Sequence, residues 1–198
     1  MSQNIRLHKQ MEFILEVDKL KEIFRQTYTT KKIRPENSSE HSWHIALMAI
    51  LLSEYVNKPQ IDLFRVVKML LIHDIVEIDA GDTFAYDKQA KKTQHERETK
   101  AAKRIFYLLP IDQAKNLQSL WSEFEENKTP SAQFANALDR LQPLINNYYT
   151  RGLAWQKNNI KLEHIEPRNN AIKHIAPQLW NYSKKLLEKA IAHGMLQN

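Results

Sequence analysis

Residues 70–82 read LLIHDIVEIDAGD. An apolar run at helical spacing ends in His73–Asp74, and Glu77, Asp79 and Asp82 follow within nine residues. Carboxylates gathered at a helix C-terminus repel one another and face the negative end of the helix dipole. An aspartate closing an apolar helix also needs a partner if it is buried. A bound cation relieves both costs. The alternative is a set of solvent-facing carboxylates beside a satisfied core histidine.

Outward from this stretch, apolar residues recur at helical spacing over most of the chain. Upstream, Met11, Ile14, Leu15 and Leu20 begin a predicted helix over about 8–26. A polar loop follows over about 27–39, and a helix over about 40–55 is capped by Ser38 or Ser39, with Ile45, Met48, Ala49 and Leu52 buried. Pro59 marks a break before a helix over about 61–77, whose buried stripe is Phe64, Val67, Leu70 and Leu71. Downstream, helices are expected over about 88–109, 112–124, 131–149, 162–166 and 168–193. Pro130 stands in the first turn of one of them, and Pro143 and Pro177 kink or divide the last two long ones. No repeat and no convincing period-two strand is visible. The expectation is an all-α, single compact multi-helix domain over 1–198, with motifs in about 10–150 and C-terminal helices in about 151–198.

Composition narrows the chemistry. The chain has 198 residues, no cysteine and a formal net charge of +6. Without cysteine there are no disulfides, iron–sulfur clusters or cysteine-based zinc sites. The three glycines, Gly81, Gly152 and Gly194, stand too far apart for a phosphate-cradling glycine loop. If phosphate is handled, side chains or a metal must do it. No signal-peptide pattern and no apolar run of membrane-spanning length is present, so a cytoplasmic location is expected.

Two further residues belong with His73 and Asp74. His41 opens the preceding predicted helix, and Asp139 sits mid-helix in FANALDRLQPL among Ala137, Leu138 and Leu141. An unpaired charge there is costly, so Asp139 needs a ligand or an ion pair with Arg140 or Arg151. Arg140, being adjacent, does not face it on a helix. Two histidines and two aspartates form a mixed nitrogen and oxygen set suited to Mn, Co, Fe or Zn, with open positions for water and a phosphate oxygen.

The ordered pattern His41, His73–Asp74, Asp139 resembles the signature of the HD-domain superfamily. The wider match is to its 5'-deoxynucleotidase branch, the YfbR-like and HD-domain-containing-protein-2-like enzymes. Arg34, Glu36, Glu40 and His41 match that branch's first motif, and His73, Asp74, Glu77, Gly81 and Asp82 match its second. The resemblance implies that His41, His73, Asp74 and Asp139 hold one divalent metal (Mn, Co, Fe, Zn or Mg). It implies that Glu77 is the general acid or base and that Asp82 positions the water or leaving group. The spacing agrees for Glu77, which lies four residues after His73 and three after Asp74.

The reaction expected from the resemblance is hydrolysis of (deoxy)nucleoside 5'-monophosphates, a small-molecule substrate, by a homodimer. Arg34 and, more weakly, Lys88 are the candidate substrate-binding cations, with Lys32 and Arg104 also open; for each the alternative is a plain surface charge. The bacterial branch carries an Arg–Trp pair where this chain has Gln26 and Thr27, with Arg25 beside them. That departure leaves the nucleotide pocket open. Trp43 is a candidate stacking surface or an ordinary packing residue, and His44 a candidate alternative or outer-layer ligand. The other histidines fit no motif. Rival readings are another HD chemistry, on a nucleoside triphosphate, cyclic nucleotide or alarmone, and a basic nucleic-acid-binding module. The lysine-rich segment 91–104 is interrupted by Glu96 and Glu98, which favours a charged surface helix, so no nucleic acid and no membrane partner is expected.

Overall fold

The computed structural model describes residues 3–31, 33–58 and 61–198. Lys32 and the break expected at Pro59 lie outside the described residues. The architecture is all-α apart from one short hairpin. Helix α1 (Gln3–Asp18) passes through a 3₁₀ turn into β1 (Phe24–Tyr28), which pairs antiparallel with β2 (Pro35–Asn37). The 3₁₀ turn and this hairpin replace the end of the helix expected over about 8–26 and part of the expected loop. Five residues of alternation are too few to stand out in a polar stretch. Its period of two turns Arg25 and Thr27 inward and leaves Phe24 and Gln26 exposed.

Helix α2 (Ser38–Leu52) begins directly after β2, with Asn37 as its cap. Asn37 Oδ1 accepts from the Glu40 amide at 2.9 Å, and Glu40 Oε2 accepts from the Asn37 amide at 3.1 Å. This reciprocal capping box displaces Ser38 and Ser39 from the expected role. Helix α3 (Leu63–Ile72), capped by Asp62, packs on α2 through Val66, Met69 and Leu70. Phe64 and Leu71, expected inside, are exposed, as are Met11, Ile14 and Leu15 of α1. An all-round apolar helix does not reveal which arc its neighbours will cover.

At His73 the helix tightens into a 3₁₀ turn, His73–Val76, and resumes as α4 (Glu77–Ala80). Then come α5 (Lys91–Phe106), α6 (Ile111–Glu126), α7 (Pro130–Tyr149), α8 (Leu153–Lys157), α9 (Leu162–Ile175) and α10 (Pro177–Ala192). The short α8 was not expected, and Pro177 does divide the last long segment. Thr129 caps α7, and Pro130 occupies its first turn. Helix α7 is the hub. It packs on α2, α3, α6, α9 and α10, with Phe134, Leu138 and Leu141 in the main apolar cluster and Leu144 in a C-terminal one. Pro143 lies inside α7 without ending it. Gly152 lets the C-terminus close on α8, since a Cβ there would stand 2.2 Å from the Met195 carbonyl oxygen.

Candidate active site

Helix α2, the 3₁₀ turn that follows α3, and α7 meet at three side chains. His41 Nε2 faces Asp139 Oδ1 at 3.1 Å, and His73 Nε2 lies 3.7 Å from the same oxygen. One ligand atom from each of His41, His73 and Asp139 falls within 4.8 Å of the others. Both imidazoles are fixed from behind. His73 Nδ1 donates to the Leu70 carbonyl at 2.9 Å, and His41 Nδ1 donates to Gln142 Oε1 at 3.1 Å. Those bonds fix the two rings so that each Nε2 faces Asp139.

An outer layer holds Gln142 in turn. Its Nε2 donates to Glu36 Oε1 at 2.6 Å and approaches His44 Nδ1 at 3.3 Å. Glu36 is buried and also accepts from Thr27 Oγ1 at 3.3 Å and Asn146 Nδ2 at 3.4 Å. His44 thus stands in the outer layer behind His41. Sequence reasoning missed Gln142, because a glutamine one helical turn from an aspartate is unremarkable until α7 packs on α2.

Asp74 closes the other side. Its Oδ1 lies 3.0 Å from His73 Nε2, and its Oδ2 accepts from Arg25 Nη1 at 2.6 Å. Arg25 comes from β1 and also faces Glu77 Oε1 at 3.9 Å and Asp139 Oδ1 at 3.8 Å. It is therefore a central cation of the site, in the place the sequence comparison left open. Burial opposes the charge on Asp74, but His73 and Arg25 override it and bring its pKa down to about 2. Burial likewise opposes the charge on His73, yet Asp74 and Asp139 raise its pKa to about 10. Asp139 is held well below the usual range: burial works against it, and the adjacent His41 and His73 prevail.

Glu77 is buried, and its Oε2 accepts from Ser38 Oγ at 2.6 Å. Burial, and then repulsion from Asp74, push its carboxyl well above the ordinary range. Asp82 is half-buried, and its pKa is raised, chiefly by burial. It follows Gly81, whose φ of +73° and ψ of 154° are open to glycine and costly for other residues. Arg97 of α5 ties this turn down, bonding to the Ala80 carbonyl and donating to Thr83 Oγ1 at 2.8 Å.

These groups form part of the wall of a cavity of about 350 Å³, within the usual size of small-molecule sites. Its lining also includes Phe84, Tyr86, Phe124 and Trp155, together with Arg140, Arg168 and Lys91. His73, Asp74, Glu77, Asp82 and Asp139 all line it. Arg34 and Lys88 do not. Arg34 is half exposed and makes a two-pronged pair with Glu40, with Nη2 to Oε1 at 2.5 Å, and Lys88 is exposed. Arg104 pairs with Asp79 and Glu16 on the outside. Trp43 is exposed and lies beside His44, away from the cavity.

The donor set fits a divalent metal. The buried His73 Nε2 has no hydrogen-bond partner among the described residues, although it points into the cluster. Two imidazoles oriented from behind, with two carboxylates beside them, are what a borderline divalent cation binds once His73 gives up its proton.

Comparison with known proteins agrees. Residues 17–180 match the HD domain family. The chain is 33% identical over 137 residues to the human protein named 5'-deoxynucleotidase HDDC2, covering 68% of this chain and 65% of that one. A Dictyostelium discoideum protein of the same name is 29% identical over 159 residues, covering 77% and 84%. The chain thus spans slightly under two thirds of the human relative's length. A crystal structure from Magnetospirillum magnetotacticum MS-1, named a predicted metal-dependent phosphohydrolase, is 46% identical, with a TM-score of 0.95, over 100% of this chain and 99% of that one. The histidine–aspartate cluster on α2, α7 and the 3₁₀ turn after α3, and the family match over most of the chain, lead to one conclusion: this protein belongs to the HD domain family.

Proposed function

We propose that the chain is a metal-dependent phosphomonoester hydrolase acting on nucleoside 5'-monophosphates, with deoxyribose preferred. One observation carries the reading. His73, Asp74 and Asp139, backed by the buried His41, converge at the wall of a cavity that is also lined by Glu77, Asp82, Arg25 and aromatic side chains. The names of the relatives support the deoxyribose preference.

His41, His73, Asp74 and Asp139 would hold one divalent ion, of the Mn, Co, Fe, Zn or Mg type. When bound it supplies Lewis acidity toward a phosphoryl oxygen and lowers the pKa of a bound water. In the reaction a water oxygen joins phosphorus and gives up a proton, the ester P–O bond breaks, and the departing 5'-oxygen takes a proton. Glu77, whose carboxyl is pushed above its ordinary range by burial and is oriented by Ser38, is placed to carry that proton as general acid or base. Asp82 positions the entering water or the leaving group. Arg25 steadies the carboxylates and offers positive charge where phosphoryl charge develops.

We read residues 1–198 as one working domain, because α7 joins the motif-bearing helices to the C-terminal ones. We also infer a homodimer and a cytoplasmic location. Trp43, Leu47, Ile50 and Leu51 form an exposed apolar stripe on α2, and such stripes mark interfaces. Among the described residues no helix is long and apolar enough to cross a membrane.

The test is phosphate release from ribo- and deoxyribonucleoside mono- and triphosphates, using stripped protein resupplied with each metal. Metal-restored release from deoxynucleoside monophosphates, lost in Asp74→Ala and Glu77→Ala, is expected. No release from any monophosphate by protein that binds metal overturns the reading. Sedimentation of the wild type and of Leu51→Glu tests the dimer.

A further inference from the structure

The cavity carries positive charge that neither the motif comparison nor the metal cluster uses. Arg140 follows Asp139 on α7, Arg168 lies on α9, and Lys91 is the first residue of α5; all three line the cavity. Among the described residues, Asp139 is the only carboxylate within ion-pair distance of any of them, at 3.8 Å from Arg168 Nη2. That spacing exceeds a hydrogen bond, so the guanidinium keeps donors to offer. Arg168 approaches Asp139 Oδ2, whereas Arg25 and His41 approach Oδ1. Asp139 therefore divides its two oxygens between Arg168 on one side and Arg25 with His41 on the other.

The cluster is built rather than incidental. Arg140 Nη1 donates to the Arg168 carbonyl at 3.1 Å, which locks α7 to α9 and sets the Arg140 side chain in place. Lys91 stands in the first turn of α5, where the helix dipole favours anions and no acidic residue is present. Burial, followed by repulsion from Arg168 and Arg140, lowers the Lys91 pKa. Like charges gathered against a helix's positive end are unfavourable without an anion between them.

We propose that Arg140, Arg168 and Lys91 form an anion clamp that binds the phosphoryl oxygens of the substrate from α7, α9 and α5. The inference rests on the phosphomonoesterase reading and assigns its phosphate recognition to residues outside the HD motifs. Arg168 lies close to Asp139, which places the clamp beside the metal-ligating cluster. The group it serves is therefore the scissile phosphate rather than a second anion at a distant subsite. Two guanidiniums can supply forked donors to tetrahedral oxygens, and the ammonium adds a mobile third contact.

The probe is inorganic phosphate, measured by calorimetry on metal-stripped and on Mn²⁺-loaded protein. Wild type binds phosphate in both forms. Arg168→Gln and the pair Arg140→Gln with Arg168→Gln raise the phosphate Kd by roughly tenfold or more, Lys91→Gln raises it less, and Mn²⁺ affinity is retained. Arg168→Lys recovers part of the loss. Steady-state kinetics with a deoxynucleoside monophosphate then show a raised KM in the same variants. If the double variant fails to fold, the single Arg168→Gln and Lys91→Gln proteins decide. Unchanged phosphate affinity in folded variants, or no phosphate binding by stripped wild type at millimolar concentration, overturns the clamp. Should the wild type bind phosphate through these residues yet release none from nucleotides, the clamp stands and the nucleotidase reading falls. Turnover of nucleotides with unchanged phosphate affinity in the variants removes the clamp and leaves the nucleotidase reading standing.

Discussion

His41 and Gln142 are joined side chain to side chain at 3.1 Å across 101 positions of sequence, and the same Gln142 amide donates at 2.6 Å to the buried Glu36. One glutamine thus orients an imidazole of the metal cluster and satisfies a buried carboxylate. Gln142→Leu removes both contacts. Metal affinity should fall by about 10–100-fold, the usual consequence of losing an orienting partner. Stability should fall by about 1–3 kcal/mol because Glu36 loses its donor. Metal titration calorimetry and urea unfolding check the pair, and an unchanged metal affinity would remove Gln142 from the orienting role.

Arg25 is almost buried and faces Asp74, Glu77 and Asp139. Arg25→Gln leaves those carboxylates to repel one another. The stripped variant should be destabilised by about 3–5 kcal/mol, as when one partner of a buried ion pair is removed. Added Mn²⁺ should raise its Tm more than it raises the wild-type Tm, because the ion then takes over the charge compensation that Arg25 provided. Scanning calorimetry with and without metal settles this; equal increments in both proteins would contradict it.

The pH dependence of the metal-free protein follows from two shifted groups. The His73 pKa is raised from 6.5 to about 10, so its contribution is complete below 6.5 and is lost as pH rises through about 10. The Asp74 pKa is lowered from 3.8 to about 2, so its contribution is complete above 3.8 and is lost as pH falls through about 2. Metal binding must displace the His73 proton. Affinity should therefore climb roughly tenfold per pH unit between neutrality and the His73 pKa, with about one proton released per ion. Calorimetry in buffers of different ionisation enthalpy counts that proton, and a count of zero refutes the assignment.

Gly81 carries φ +73° and ψ 154°, and a Cβ added there would meet nothing within 4 Å. The cost of Gly81→Ala is thus confined to the backbone, about 1–3 kcal/mol. Relaxation of the turn should move Asp82 and lower kcat. Arg97→Ala, which frees the same turn from α5, should lower kcat in the same way while leaving Mn²⁺ affinity unchanged. A kcat at wild-type level in both proteins would show that Asp82 does not depend on the turn.

Periodicity in the sequence determined that the chain is helical, and the placement of His41, His73, Asp74 and Asp139 on or beside apolar helices marked them as one set before any contact was known. Polar groups on buried helices carry that signal because isolating them from water is costly. The sequence did not disclose which arc of an apolar helix is covered, so Phe64 and Leu71 were expected inside and stand exposed. Nor did it distinguish Arg34, paired with Glu40 outside, from Arg25, held at the centre by a five-residue strand. Gln142, Arg168 and the aromatic wall of Phe84, Tyr86 and Trp155 gain their positions only when α7, α8 and α9 pack together and the α4–α5 connection folds over them. Local spacing sets which face of an element a side chain occupies, whereas contacts between residues a hundred positions apart are decided by how those faces pack in three dimensions.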